Sequence, residues 1–269
     1  MKKCFTLAFF FLYSISTCYS QEFQGIAVYK SQHKVDMKLD STQIKNEMMK
    51  VIQEQLSKGF QKDYTLKFNQ QESLYTENEK LNAPIVKNSG VTITVSSDQQ
   101  IFYKNTAKKT YTKQQELMGK MFLIQDSLQL PDWKLEKESK IIGKYTCFKA
   151  TWTREVTSHE YSSEEEGVKE VIKEISTTVW YTPEIPINNG PGNYWGLPGL
   201  ILEVQEGNFN FLCIEITLNP QHKFEIEAPQ KGKKVSQLEF NEIQEKKNKE
   251  RIERYGGEGN VIMERRSGQ

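Results

Sequence analysis

The stretch WYTPEIPINNGPGNYWGLPGLILEV (residues 180–204) carries the most specific information about the fold. Apolar residues lead into it and out of it, and four prolines and four glycines lie between them. Proline fixes φ and glycine permits positive φ, so a mixture of the two specifies particular turns and not a flexible linker. The stretch therefore predicts a strand, a long ordered loop and a second strand.

The aromatic residues of this loop permit two interpretations. In the first, which the proline and glycine content favours, the loop packs against the sheet as a structural corner, and Pro198→Ala or Gly199→Val is expected to lower thermal stability. In the second, a tightly held loop is a recognition surface, because loops on rigid scaffolds often carry function. The candidate recognition residues are Tyr181, Thr182, Pro183, Glu184, Pro186, Gly190, Pro191, Trp195, Gly196, Leu197, Pro198, Gly199, Leu200 and Ile201.

Alternating apolar and polar residues predict short strands along most of the chain. Residues 64–69 alternate cleanly, and Gln100–Asn105 with Lys108–Lys113 predict a hairpin that turns near Thr106–Ala107. Ile141–Trp152 and Lys223–Ala228 are further predicted strands, and Gly207–Asn208 is a turn signal before a strand at Phe209–Leu218. Evenly spaced short strands of this kind indicate an antiparallel sheet.

Two segments have helical periodicity instead. In Asp40–Lys58, apolar residues recur at steps of three and four, which predicts an amphipathic helix that ends before Gly59. Ser236 and Glu239 form a capping box at the start of a C-terminal helix whose apolar face is Leu238, Phe240 and Ile243. The expected fold class is therefore α+β, mostly β: a long curved antiparallel sheet, with an incomplete barrel as the alternative, one packed amphipathic helix and a C-terminal helix.

The N-terminus has the pattern of a secretory signal peptide. Two lysines precede a short apolar run, Cys4–Tyr13, and small residues follow it. We expect cleavage after Ser20; acylation at Cys18 is the alternative, disfavoured because Thr17 is bulkier than the residue usual at that position. The predicted organisation is a signal peptide (1–20), one β-rich domain (21–235) and a C-terminal helix with a loose tail (236–269). The mature protein is expected in the periplasm, at the outer membrane or outside the cell, with no transmembrane segment.

Two cysteines, Cys147 and Cys213, remain after signal cleavage. In an oxidising compartment such a pair can form a disulfide, and both lie in predicted strands. The alternatives of a cross-strand bridge and of two separately buried thiols are equally compatible with the sequence.

Charge and motifs argue against several classes of function. The chain has 36 basic and 35 acidic residues with no basic stripe, so a nucleic-acid partner is not expected. The three histidines are far apart in the sequence and form no metal-ligand motif, the glycine-rich loop lacks the Lys–Ser/Thr end of a phosphate loop, and no nucleophile elbow is present. Glu184 and Glu203 flank the loop, but chance explains their spacing in so acidic a chain. We therefore expect no catalytic residue, no cofactor and no metal.

The hexapeptide Gly196–Ile201, which reads GLPGLI, resembles the name-giving motif of the GLPGLI family. Tyr181–Pro186, Trp133–Leu135 and Ile142–Tyr145 extend the resemblance over nearly the whole mature chain, although Gly192–Tyr194 departs from the bulkier residues usual in the family. Members of the family look like exported proteins of Bacteroidetes, and the family has no assigned activity, cofactor or catalytic residue.

Two functions follow as hypotheses. The first is a non-enzymatic envelope protein that binds another protein through the proline-rich loop. The second is a carrier that holds an apolar ligand, a lipid or something lipoprotein-like, in the concave face of the sheet; such a half-barrel closed by a helix resembles the periplasmic lipoprotein carriers, which is an analogy of fold only.

Overall fold

The structure, a computed structural model, describes residues 23–33, 61–78, 100–161 and 168–255. In this part of the chain, twelve strands form one sheet and a single helix follows them. The elements are β1 (Gln24–His33), β2 (Lys62–Asn69), β3 (Glu72–Glu77), β4 (Ile101–Asn105), β5 (Thr110–Leu117), β6 (Lys120–Ser127), β7 (Lys134–Ile142), β8 (Tyr145–Tyr161), β9 (Val168–Thr182), β10 (Leu200–Glu206), β11 (Phe209–Leu218), β12 (Lys233–Val235) and α1 (Gln237–Tyr255).

The strands follow the order β12-β6-β5-β4-β3-β2-β1-β11-β10-β9-β8-β7. Every neighbouring pair is antiparallel except β12 and β6, which are parallel. The first and last strands in this order do not pair with each other, so the sheet is open. The mostly β class with one long sheet is thus confirmed, but the sheet is mixed and not wholly antiparallel.

Tight turns connect most neighbours, and the positive φ that several of them need is supplied by glycine in some turns and by Lys109 or Met118 in others. The predicted hairpin at residues 106–109 joins β4 to β5, and Gly207 (φ 55°) opens the predicted turn between β10 and β11. The prediction of one strand over Ile141–Trp152 is wrong. Gly143 (φ 61°) and Lys144 form a two-residue loop there, because Ile142 and Tyr145 pair with each other across the β7–β8 hairpin.

The predicted strand at Lys223–Ala228 is also wrong. The main chain of Phe224 bonds to the side chain of Gln24, both as acceptor (2.9 Å) and as donor (3.4 Å). The segment thus bonds to a side chain and not to the main chain of a neighbouring strand. The alternation of apolar and polar residues could not distinguish these two kinds of pairing. The strand that follows instead is β12, which lies along β6.

The C-terminal helix begins as its capping box predicts. The Ser236 amide donates to the Glu239 carboxylate (2.7 Å), and the Glu239 amide donates to the Ser236 hydroxyl (3.2 Å). Phe240 is buried against the Phe122 ring at a centroid distance of 5.4 Å, whereas Leu238, predicted on the apolar face, is exposed. Of the two expected helices, α1 is therefore the one in the described part of the chain; the predicted helix Asp40–Lys58 lies outside the described residues.

The loop between β9 and β10 lies within the curve of the sheet. Lys104 on β4 donates to the carbonyl oxygen of Tyr194 (3.3 Å), and the Tyr194 hydroxyl donates to Glu206 on β10 (3.2 Å). A flat sheet would hold β4 and β10 about 24 Å apart, since five strand spacings of ~4.8 Å separate them. Strand side chains project away from a sheet and not along it, so one tyrosine can meet both strands only if the sheet curves.

Candidate functional site

The loop at residues 183–199 is held by its own main-chain hydrogen bonds. The Leu200 amide donates to the Ile185 carbonyl (3.0 Å), and the Ile201 amide donates to the Asn189 carbonyl (3.0 Å). The Gly196 amide donates to the Asn188 carbonyl (3.3 Å). The first half of the loop therefore lies along the start of β10, and the predicted ordered loop between two strands is confirmed.

The candidate recognition residues divide into buried and exposed groups. The aromatic side chains are buried, with Trp195 only 3% exposed, and so is most of the hexapeptide. The buried members are Tyr181, Thr182, Gly190, Pro191, Trp195, Leu197, Gly199, Leu200 and Ile201; Gly196 is half-buried, and Pro183, Glu184, Pro186 and Pro198 are exposed. A partner could therefore meet the prolines and Glu184, but not the aromatic rings.

Gly199 is required by space. A Cβ atom at this position would lie within 3.0 Å of the carbonyl group of Thr182 and of the nitrogen of Pro183. Those atoms are backbone at the end of β9 and cannot turn aside. Gly196 is required by conformation as well, because its φ is +92° and its Cβ would meet the side chain of Leu130.

Lys104 on β4 forms buried hydrogen bonds to the loop, and nothing in the sequence indicated this contact. Its side chain is fully buried (0% exposed), and its Nζ donates to the carbonyl oxygens of Gly190 (2.9 Å), Gly192 (2.7 Å) and Tyr194 (3.3 Å). Three N–H groups thus meet three carbonyls that would otherwise lack a partner within the turn. The lysine connects the Gly-Pro-Gly segment to β4 across the interior of the sheet.

Burial lowers the pKa of Lys104 to about 7 from its ordinary value of 10.5. Between these two pH values the unfolded chain binds the additional proton, so the free energy of unfolding is expected to rise with pH. The slope from one lysine is at most about 1.4 kcal/mol per pH unit. Urea unfolding at several pH values across this window should show a shallower rise in Lys104→Met than in the wild type. Equal slopes in the two proteins would contradict the lowered pKa.

A second network fixes the aromatic side of the loop. Arg154 on β8 forms two hydrogen bonds to the Glu206 carboxylate on β10 (2.9 and 3.1 Å), and the Tyr194 and Thr177 hydroxyls donate to the same carboxylate. The guanidinium also lies over the Trp152 ring, 4.4 Å from its centroid. Because bidentate pairing and stacking both orient the arginine, this network is a structural clamp.

Two tryptophans close the loop against the segment before β7. The Trp133 indole N–H donates to the Trp195 carbonyl (2.8 Å), and the Trp195 indole N–H donates to the Gln129 carbonyl (3.0 Å). The half-buried indole of Trp133 and the buried indole of Trp195 thus each have a polar partner. The loop is pinned from β4, from β8 and β10, and from residues 129–133, as expected of a structural corner.

The acidic residues beside the loop also have structural partners. The Glu184 carboxylate accepts from the Thr146 amide (2.8 Å), and Glu203 pairs with Lys140 (2.6 Å), whose ammonium lies 4.3 Å from the centroid of the Trp180 ring. Within the described ranges, no group of three or more His, Cys, Asp or Glu side chains is placed to hold a metal ion. In the same part of the chain, no helix has the length and apolarity needed to cross a membrane.

The two cysteines are free, buried thiols. Cys147 lies on β8 and Cys213 on β11, with β9 and β10 between them. Both residues belong to one buried core cluster, and both thiols are unbonded in the structure. The choice between a bridge and separate thiols in an oxidising compartment stays a prediction. Burial raises the pKa of Cys147 to about 11 and that of Cys213 to about 12, which makes both thiols unreactive.

Next to the exposed part of the loop lies a surface with several exposed apolar side chains, which we call the β7–β8 patch: Leu135 and Ile141 on β7 and Phe148 on β8. Ile141 is 75% exposed, and its cross-strand partner is Thr146. Thr146 is the residue whose amide binds Glu184, so the patch and the exposed loop residues are continuous.

Comparison with known proteins gives a family match over part of the chain. Residues 133–203, from β7 into β10 with the whole loop, match a family described as "Protein of unknown function (Porph_ging)". The matched region contains the GLPGLI hexapeptide, but the match does not carry that family name, so the wider resemblance remains a prediction. Among curated proteins, the sequence comparison found no match.

Among solved structures, PNGF-II in its C2 and P21 crystal forms is similar at TM-scores of 0.47 and 0.46, each with 12% identity. These alignments cover 83% and 84% of this chain but 33% of the PNGF-II chain, so the protein spans about a third of that length. LprF from Mycobacterium bovis aligns over 78% of this chain and 90% of its own, with 10% identity and a TM-score of 0.24. Because these TM-scores are below 0.5, we base no conclusion on the similarities.

Proposed function

We propose that this is an exported, non-enzymatic envelope protein that binds another protein through the exposed prolines of the loop and the adjoining β7–β8 patch. The observation that carries the proposal is the continuity of this surface. Pro183 and Glu184 follow directly on β9, Glu184 binds the Thr146 amide, and Thr146 pairs with the highly exposed Ile141. Apolar side chains grouped at the surface are typical of protein interaction sites.

The rigidity of the loop supports this assignment. Its exposed prolines alternate with buried residues, as in Pro186 between Ile185 and Ile187. The exposed positions are therefore held in one conformation by the interior contacts. A surface ordered before binding loses little conformational entropy when a partner docks, which favours recognition.

The roles of the charged groups support a binding protein over an enzyme. Glu184, Glu203 and Glu206 each have a structural partner, namely the Thr146 amide, Lys140 and Arg154. A general acid or base needs a free position beside a substrate and a pKa matched to its task. The carboxylates beside the loop are instead used to hold it.

The test replaces Thr146, whose side chain is exposed, by a photo-crosslinking amino acid in the full chain expressed in its own envelope. We expect a specific crosslinked partner whose yield falls at least tenfold when Ile141→Ser is added, because the substitution removes the most exposed apolar side chain of the patch. Ile172→Ser on β9 is the matched control, since that isoleucine is 69% exposed but lies toward the other end of its strand. Equal yields from both variants would contradict the proposed surface.

A carrier of an apolar ligand is the second candidate, and the aromatic lining of the sheet favours it. Tyr64 stacks on Tyr75 at 4.9 Å between ring centroids, and Phe102 stacks on Tyr111 at 5.2 Å. Native mass spectrometry of the protein purified without detergent from its own envelope tests this. An adduct of lipid mass that organic extraction removes would support a carrier, and a clean apo mass would count against it.

A further inference from the structure

A group of buried polar side chains lies on one face of three neighbouring strands. Tyr75 on β3 pairs with Phe102 on β4, and Phe102 pairs with Lys113 on β5, so these three side chains are on the same face. Side chains two residues apart on a strand also share a face, which adds Ser73 and Gln115. The four polar members, Ser73, Tyr75, Lys113 and Gln115, are all buried.

These groups lack the partners that buried polar atoms normally have. The Ser73 hydroxyl, the Tyr75 hydroxyl and the Gln115 carbonyl oxygen have no hydrogen-bond partner. Lys113 is 9% exposed and forms no ion pair and no hydrogen bond within the described part of the chain, but its Nζ is not one of the fully enclosed atoms without a partner. Lys104, on the neighbouring strand, has three carbonyl partners. Native proteins rarely leave several such groups unsatisfied on one face of a sheet, because each loses its hydrogen bonds to water on burial.

The polar atoms without partners indicate which chemical groups a ligand at this position would carry. Lys113 offers a cation with N–H donors, Ser73 and Tyr75 offer O–H donors, and Gln115 offers an acceptor. Around them lie the stacked pairs Tyr64–Tyr75 and Phe102–Tyr111, which are apolar in character. A carboxylate would pair with the cation and the hydroxyls, a neighbouring N–H or O–H would satisfy Gln115, and an apolar chain would lie against the rings.

We propose that Ser73, Tyr75, Lys113 and Gln115 form the polar end of a binding site for an apolar chain that carries a carboxylate next to a hydrogen-bond donor, as in an N-acyl amino acid. The proposal deepens the carrier function and rests on it. It is independent of protein binding by the β7–β8 patch.

The electrostatics of Lys113 are consistent with an anionic ligand. Burial lowers the pKa of Lys113 to about 8. A bound carboxylate would favour the ammonium form and be held more strongly than in water because the site is desolvated.

The test uses isothermal titration calorimetry of the signal-free chain with two probes, N-dodecanoylglycine and its uncharged amide, N-dodecanoylglycinamide. We expect the wild type to bind the acid at least tenfold more tightly than the amide. Lys113→Met should remove that preference, and Lys120→Met, an exposed lysine on β6, should keep it. No binding of the acid by the wild type, or an unchanged preference in Lys113→Met, would overturn the proposal.

Thermal unfolding of the ligand-free variants separates a binding role from a structural one. Lys113→Met removes a cation whose pKa is lowered by burial, so its melting temperature should equal or exceed that of the wild type. A lower melting temperature together with unchanged acid binding would show that Lys113 is structural and overturn the assignment.

Gln115→Met is a second variant. It should weaken the binding of N-dodecanoylglycine but not that of dodecanoate, which lacks the amide N–H. Equal weakening of both would also contradict the site. Failure of the crosslinking experiment at Thr146 would leave these outcomes unaffected.

Discussion

Gly199→Val is expected to lower the melting temperature by roughly 6–12 °C, because a loss of about 3 kcal/mol shifts a domain of this size by ~2–4 °C per kcal/mol. The new Cβ would lie within 3.0 Å of the Thr182 carbonyl and the Pro183 nitrogen. Both contacts are with backbone, so the substitution must displace either the end of β9 or the start of β10. Calorimetry of the signal-free chain measures the shift.

Pro198→Ala is the matched control for Gly199→Val. Pro198 precedes Gly199 in the same hexapeptide but is exposed, so its replacement costs only the entropy of a freer unfolded chain, about 1 kcal/mol or less. The sequence alone had grouped the two substitutions together, and the structure separates them. A melting temperature of Gly199→Val equal to that of the wild type would show that the loop is not a corner of the fold.

Lys104→Met is expected to lower the free energy of unfolding by about 2–4 kcal/mol, because it leaves three buried carbonyls unsatisfied at ~1–3 kcal/mol each while removing the cost of a buried charge. The carbonyls belong to Gly190, Gly192 and Tyr194, so the damage falls on the middle of the loop. Urea unfolding measures the change.

Lys113→Met provides the comparison for Lys104→Met, because both lysines are buried, lie on neighbouring strands and have a lowered pKa. They differ in their partners: Lys104 has three carbonyls, and Lys113 forms no ion pair or hydrogen bond within the described residues. Only Lys104→Met should therefore destabilise the protein. An equal loss in both would mean that the carbonyl contacts contribute nothing.

The strand order and the loop differ in how far the sequence could predict them. Alternation and turn residues located β4, β5, β10 and β11, because side-chain period and glycine conformation are local properties. The Phe224 segment was mispredicted because its partner is the side chain of Gln24, about 200 residues away, and no local pattern records such a contact. The parallel pairing of β12 with β6 was missed for the same reason.

Most of the contacts in the interior of the site could not be predicted from the sequence. Lysine is normally exposed, so nothing marked Lys104 as buried except its position two residues after Phe102, which puts both on one face of β4. The aromatic residues of the loop were recognised as important, but their burial depends on the curvature of the sheet and on partners such as Trp133 and Glu206. Curvature is a property of the whole sheet, so no short stretch of sequence predicts it.

The division of the loop into an interior and an exterior side has a functional consequence. Buried residues such as Leu197 and Gly199 would be constrained by folding, whereas Pro183 and Pro186 are exposed and free to match a partner. The proposed protein-binding surface uses only exposed positions. Substitutions there should alter binding at unchanged stability.

Hydrogen–deuterium exchange of the loop, followed by mass spectrometry on the signal-free protein, tests the central claim most directly. The claim is that the loop is a fixed structural element inside the curved sheet, with the amides of Ile185, Ile187, Tyr194, Gly196 and Gly199 bonded to main-chain carbonyls. We predict that peptides from residues 183–199 exchange as slowly as those of β10. Exchange at the rate of an unstructured peptide would contradict the account, since a loop that opens freely could not be held by Lys104 and the tryptophans.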